Sequence, residues 1–209
     1  MSWTAPRIRI AGVIALASLA SCVTPLSPES MSPGILERPA QRGDRTLRVA
    51  PVTGGGEAPI PLSQGLEGGS YVGSEELQLA LVDALDGSGI FRRVTTSEPG
   101  DFELDTRVVS QQSQATGGGI TSMLVLNYRV REVATAQDVW RDTIITRGRA
   151  ERGPEGPSGA RRKSLSAAAQ RNLTEMLKKM AAAIPAASAR GSAPPWRDPA
   201  SRPRSCRRR

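Results

Sequence analysis

Residues able to do chemistry are few, and their spacing limits what that chemistry can be. Histidine is absent from all 209 residues. Its absence removes the commonest general base, the Ser-His and Cys-His pairs and most zinc-site types. Asp101, Glu103 and Asp105 alternate in DFELD, so on a strand they share one face and suggest paired carboxylates or a metal site. The competing account is a solvated strand face, with Arg107 in the same row and Arg129 or Arg131 opposite; the pattern favours it. Lys163-Ser164 is the one Ser-Lys pair singled out, at a helix start where both residue types are ordinary. Glycine runs at Thr53, Thr116 and Gly153 match neither a P-loop nor G-x-G-x-x-G opening a helix. Asn172-Leu173-Thr174 fits a glycosylation sequon but falls inside a helical pattern. No catalytic residue, metal or cofactor is expected from these features.

Cys22 is different, because of what precedes it. Arg7 and Arg9 give a positive start, and IAGVIALASLA (Ile10 to Ala20) gives an apolar run too short to span a bilayer stably. Leu19-Ala20-Ser21-Cys22 then resembles the bacterial lipobox. That resemblance implies cleavage between Ser21 and Cys22, diacylation of the Cys22 thiol and acylation of the new amino group. One acyl chain anchors only marginally, whereas two or three hold a protein on a membrane effectively for good. An ordinary secretory signal with a chance cysteine, or a short N-terminal anchor, is the alternative. Position +2 is Val23 rather than Asp, which in the Gram-negative sorting rule implies the outer membrane, facing the periplasm. With Cys22 acylated, Cys206 has no partner for an intramolecular disulfide.

The formal charge of +8 belongs to the ends of the chain. Arg7 and Arg9 account for one part, and seven arginines against one aspartate from Pro185 to Arg209 account for the rest. Residues 22–184 are neutral, which argues against a nucleic-acid-binding domain. The arginine tail has a single Trp196 and no base-stacking platform, so no nucleic-acid partner is expected.

The elements follow from the apolar pattern. Residues 1–21 read as the signal, 22–43 as a flexible Pro/Ser/Gly tether, 44–184 as one domain and 185–209 as a disordered Arg-rich tail. TLRVAPV (Thr46 to Val52) predicts a strand. Ser74 is placed to cap a helix with Leu77, Leu81 and Leu85 on one stripe, stopped by Gly87 and Gly89. Ile90 to Thr96 is a short strand. DFELDTRVV alternates with Phe102, Leu104, Thr106 and Val108 on one face, and Ile120 to Val133 returns with Leu124, Leu126, Tyr128 and Val130 inward. Val139 to Arg149 adds a third strand, making an antiparallel meander. Lys163 to Ala183 is a helix lined by Leu165, Ala169, Leu173, Met176, Leu177 and Met180, ended by Pro185. The order β-α-β-β-β-β-α predicts an α+β two-layer sandwich. Its mostly antiparallel sheet of four to five strands carries two helices on one face.

The lipobox at Cys22, VTGG (Val52 to Gly55), SEELQLALVDALDGSGIF, DFELDTRVVSQQ and LVLNYRV together resemble a group of small proteobacterial outer-membrane lipoproteins of unsettled function. Their layout is similar to that of auxiliary lipoproteins of ABC-type lipid transporters, the lipopolysaccharide-assembly lipoprotein and lipoprotein activators of peptidoglycan synthases. The resemblance covers about residues 44–184. It implies a lipid-anchored periplasmic module that docks on an envelope protein complex without catalysis, by β-edge pairing or through an open sheet face. It carries over no catalytic residue. Some members bear the name UDP-N-acetylglucosamine acyltransferase, but that enzyme is a β-helix of hexapeptide repeats with a catalytic histidine, and this chain has neither. An enzyme of envelope lipid or cell-wall metabolism and an orphan structural lipoprotein are the alternatives. Partner identity and oligomeric state are not encoded in these patterns.

Overall fold

A computed structural model describes residues 24–34, 43–54 and 70–191. Ser21, Cys22, residues 55–69 and the arginine-rich tail from residue 192 lie outside the described residues.

The alternating run that begins at Phe102 forms the centre of the molecule. Strands β5 (Phe102–Thr116), β6 (Gly119–Glu132) and β7 (Asp138–Glu151) pair antiparallel as the expected meander. Gly117 and Gly118 form the two-residue turn between the first two, with φ of 38° and 91°. Positive φ at both central positions is what a type I′ hairpin demands, and glycine supplies it without steric cost. Strand β2 (Thr46–Val49) lies parallel to β5 on one side and to β4 (Arg93–Thr95) on the other, so the sheet order is β4-β2-β5-β6-β7. The five-stranded sheet is thus antiparallel along its three long strands and parallel where β2 inserts.

One face of this sheet carries the core. Phe102, Leu104, Leu126, Tyr128 and Val130 point inward with less than 2% exposure, against helices α2 (Ser74–Ser88) and α3 (Gly156–Gly191). Every residue of the expected α3 stripe, from Leu165 to Met180, is buried. The two-layer α+β architecture is as expected. A β-bulge between Val108 and Ser110 shifts the register, and Val109 is left 55% exposed. Below the bulge Ser113 and Ser122 stand opposite each other between the buried Leu124 and Ile120 of β6.

Four details differ from the sequence reading. Gly73, not Ser74, takes the cap position of α2, and Ser74 is its first helical residue. The helix passes through Gly87 and ends at Gly89, which is left-handed with φ of 71°. Helix α3 starts at Gly156 and continues beyond Pro185 to Gly191. Proline cannot bond the carbonyl four residues earlier, but Ala181 is exposed, so water can take that place. The fourth difference is the largest. Within the stretch read as a tether, β1 (Thr24–Pro25) pairs parallel with β3 (Ser70–Tyr71), and α1 (Pro28–Met31) follows at once. Leu26 and Met31 are buried at 1% and 0% exposure, and the Ser30 carbonyl accepts hydrogen bonds from Ser166 and Gln170 on α3. Residues 24–32 therefore belong to the domain. Two apolar residues in so short a segment show no period, so only the tertiary packing reveals them.

Candidate functional site

Strand β7 ends the sheet, so one of its edges has no strand partner among the described residues. Such an edge presents backbone donors and acceptors to whatever approaches. Helix α3 rests on β7 along its length, held by Thr146 Oγ1 donating to the Ala168 carbonyl at 2.8 Å. Between the edge and the helix runs an open groove of about 710 Å³, lined by Thr143 to Thr146 of β7 and by Gln170, Arg171, Thr174, Glu175, Lys178 and Lys179 of α3. Gly34 reaches it from the N-terminal segment.

The groove is basic on its helix side. Arg171 Nη1 donates to the Arg147 carbonyl at 2.7 Å and so covers one point of the edge. Lys179 Nζ bonds Asp142 Oδ2 at 2.9 Å and lies 3.5 Å from Glu175. The Lys179 hydrogen bond holds the Asp142 carboxyl below the ordinary carboxylate range, while Asp142 and Glu175 raise Lys179. Ile145, on the same strand, is 62% exposed.

Among the described residues no helix covers the opposite sheet face, which is laced with ion pairs. Glu103 bridges Arg48 at 2.9 Å and Arg131 at 2.7 Å. Asp105 pairs in register with Arg129, whose Nε contacts Asp138 at 2.6 Å. Asp101 turns back to accept from the Thr46 N–H at 2.7 Å and its hydroxyl at 2.9 Å. The three acids therefore do not converge, as the solvated-face account requires. Among the described residues no cluster of three or more Cys, Asp or Glu could hold a metal ion.

Lys163 and Ser164 diverge. Lys163 Nζ sits 3.2 Å from Glu155 at the surface, whereas the buried Ser164 hydroxyl contacts Ser122 Oγ at 2.6 Å and the Arg161 carbonyl at 3.0 Å. Asn172 of the sequon is fully buried, accepting from the Tyr128 hydroxyl at 2.9 Å and donating to the Ile144 carbonyl at 3.0 Å. It is a core residue. Cys22 and Ser21, the expected acylation and cleavage positions, lie outside the described residues. What the sequence reading missed is the groove. Arg171, Lys178 and Lys179 look like any helix surface until β7 is known to be the edge; that position depends on where β2 inserts.

No family model matches the sequence, and no curated protein does. Among solved structures, a Xanthomonas campestris protein of the DUF330 family superposes with a TM-score of 0.59 at 17% identity, over 80% of this chain and 96% of that one. A Chlamydia trachomatis hypothetical protein follows at 0.49 and 9%, over 69% and 99%. A minor lipoprotein of Acinetobacter baumannii gives 0.41 and 9%, over 68% and 93%. At 17% identity the first similarity shows a shared fold.

Proposed function

We propose that this chain is a lipid-anchored module of the bacterial cell envelope, held to the periplasmic side of the outer membrane by acylated Cys22. It docks on an envelope protein complex rather than turning over a substrate. The observation that carries the docking is the open β7 edge beside a basic groove. An extended partner segment with acidic side chains fits it, its backbone pairing with β7 and its acids meeting Arg171, Lys178 and Lys179. The anchor rests on the run from Arg7 to Cys22. Val23 alone separates Cys22 from Thr24, a reach of about 7 Å, so the domain is held close against the lipid. The divergence of Lys163 and Ser164 supports setting catalysis aside.

Two measurements test this reading separately. Mass spectrometry of the exported chain is expected to find an N-terminal Cys22 carrying two or three acyl groups; a free thiol there removes the anchor. Photo-crosslinking groups placed at Thr143 or Lys178 in living cells are expected to capture one defined envelope protein, while one placed at Arg93 on the opposite edge captures none. No product at β7, or equal products from both edges, overturns the docking.

A further inference from the structure

Four large apolar side chains stand exposed among the described residues: Leu79, Val109, Val133 and Ile145. Val133 directly follows the end of β6. The other three fall in two places of opposite charge. Val109 and Ile145 lie on the sheet face that no described helix covers. The bulge sets Val109 beside Ser110, which stands opposite Val125 of β6, and Val125 stands opposite Ile145 of β7. Val109, Val125 and Ile145 thus make an apolar row across three strands. The half-buried Met123 adjoins it, two residues from Val125 on the same face.

The rows on either side of this one are basic. Arg107 lies on one side, in the row of Asn127 and Thr143. Arg147 lies on the other, in the row of Gln112 and Met123. Both arginines are exposed, and among the described residues neither side chain makes an ion pair. In this they differ from Arg48, Arg129 and Arg131 farther along the face.

Leu79 sits on the other layer, in a helix with four acids and no base. Glu75, Leu79 and Asp83 are all exposed and follow at four-residue steps, so they form one stripe. That stripe points away from Leu77, Leu81 and Leu85 in the core. The helix therefore reads acid, apolar, acid where the sheet face reads base, apolar, base. Their spacings agree as well. Four helical residues rise about 6 Å, and two strand residues about 6.8 Å. With Leu79 over Val125, Glu75 and Asp83 come level with the rows of Arg107 and Arg147.

The two surfaces belong to opposite layers of the sandwich, so one copy cannot close them on itself. Two sheet faces set together would oppose arginine with arginine, which is unfavourable. We propose that the open sheet face of one copy takes the acidic α2 stripe of a second copy. Each copy then offers one helix and one face, a head-to-tail contact that can carry more than two copies. It uses the side-chain face of β7 and leaves the backbone edge free, so it stands whether or not that edge docks a partner.

Sedimentation equilibrium of the full chain in density-matched nonionic detergent tests it. The mass is expected to rise above that of one copy between about 1 and 100 μM. Two variants break opposite sides of the contact: Arg107→Glu with Arg147→Glu on the face, and Leu79→Gln with Asp83→Gln on the helix. All four positions are exposed, so each Tm is expected to stay within about 3 °C of the unmodified chain. Alone, each variant is expected to remain monomeric. Mixed, they are expected to form pairs and nothing larger, because one supplies an intact helix and the other an intact face. An unmodified chain that stays monomeric overturns the proposal and leaves the face to another partner. A variant that associates by itself, or a mixture that holds only monomers or exceeds two copies, overturns it too.

Discussion

Asn172 bonds three groups at once: the Tyr128 hydroxyl, the Ile144 carbonyl and Thr146 Oγ1, of which the last also donates to the Ala168 carbonyl. Burial alone pushes the Tyr128 pKa far up, so the phenol stays a neutral donor. Asn172→Leu keeps the volume but strands the Tyr128 hydroxyl, at about 1–3 kcal/mol, and takes a hydrogen bond from each of the other two. The expected loss in urea unfolding is about 3 kcal/mol. Tyr128→Phe alone removes one donor and costs less, and the double variant falls short of the sum because the two share a bond. A second residue-scale effect is acid sensitivity. The Thr46 N–H holds the Asp101 carboxyl below its ordinary 3.8, helped by the Thr46 hydroxyl and by Arg45 and Arg92. A depressed carboxylate stabilises the fold fully above its unfolded pKa and loses that contribution as pH falls through the folded one. Asp101→Asn is therefore expected to lower Tm at neutral pH, with the gap to the unmodified protein closing on acidification below 3.8. A gap that persists at low pH assigns the effect to packing instead.

Among the elements, the long strands were legible because alternation is a local signal. Phe102, Leu104, Thr106 and Val108 declared a face that β6 and β7 then had to match, and the opposition of Glu103 to Arg131 and Asp105 to Arg129 followed from the register. The short strands β2 and β4 were legible as strands but not in their placement, and β1, α1 and β3 were not legible at all. Four residues of β2 sit between two parallel neighbours, a placement decided by the β2-α2-β4 crossover rather than by TLRV itself. The candidate groove shared that fate, since it exists only once β7 is the edge and α3 lies beside it. That apposition depends on Gly148. A Cβ there would collide with the Ser164 carbonyl and lie 2.6 Å from the Ala168 nitrogen. Both are helix backbone and cannot swing aside, so Gly148→Ala must push α3 off β7. The expected cost is about 1–3 kcal/mol, with weakened Thr146 and Asn172 contacts visible as faster hydrogen exchange at Ile144 to Thr146. A substitution tolerated within about 0.5 kcal/mol means that the helix rides higher than described here.

At the scale of the whole molecule, the packing of the N-terminal segment bears on how the proposed anchor at Cys22 would hold the domain. On a 22-residue tether the domain would wander over about 25 Å. With Thr24 paired to Ser70, and Leu26 and Met31 in the core, residues 24–32 become a fastening. The two arrangements make opposite demands on Met31. In a tether it touches nothing, and Met31→Ala leaves stability unchanged. In the packed arrangement it is fully buried against both helices, and truncation costs about 2–4 kcal/mol through lost contacts and a residual cavity. The position of the domain follows from the same packing. Ten Gly/Ser residues inserted between Val23 and Thr24 leave Leu26 and Met31 in place, so Tm is expected to hold. They also lengthen the reach from the lipid by about 17 Å, and a docking geometry set by a short anchor is then expected to loosen. The crosslinking yield from Thr143 to its envelope partner should fall in that variant while acylation and stability stay intact. An undiminished yield would mean that the distance between lipid and groove is immaterial to docking, and that the packed N-terminus serves the core alone.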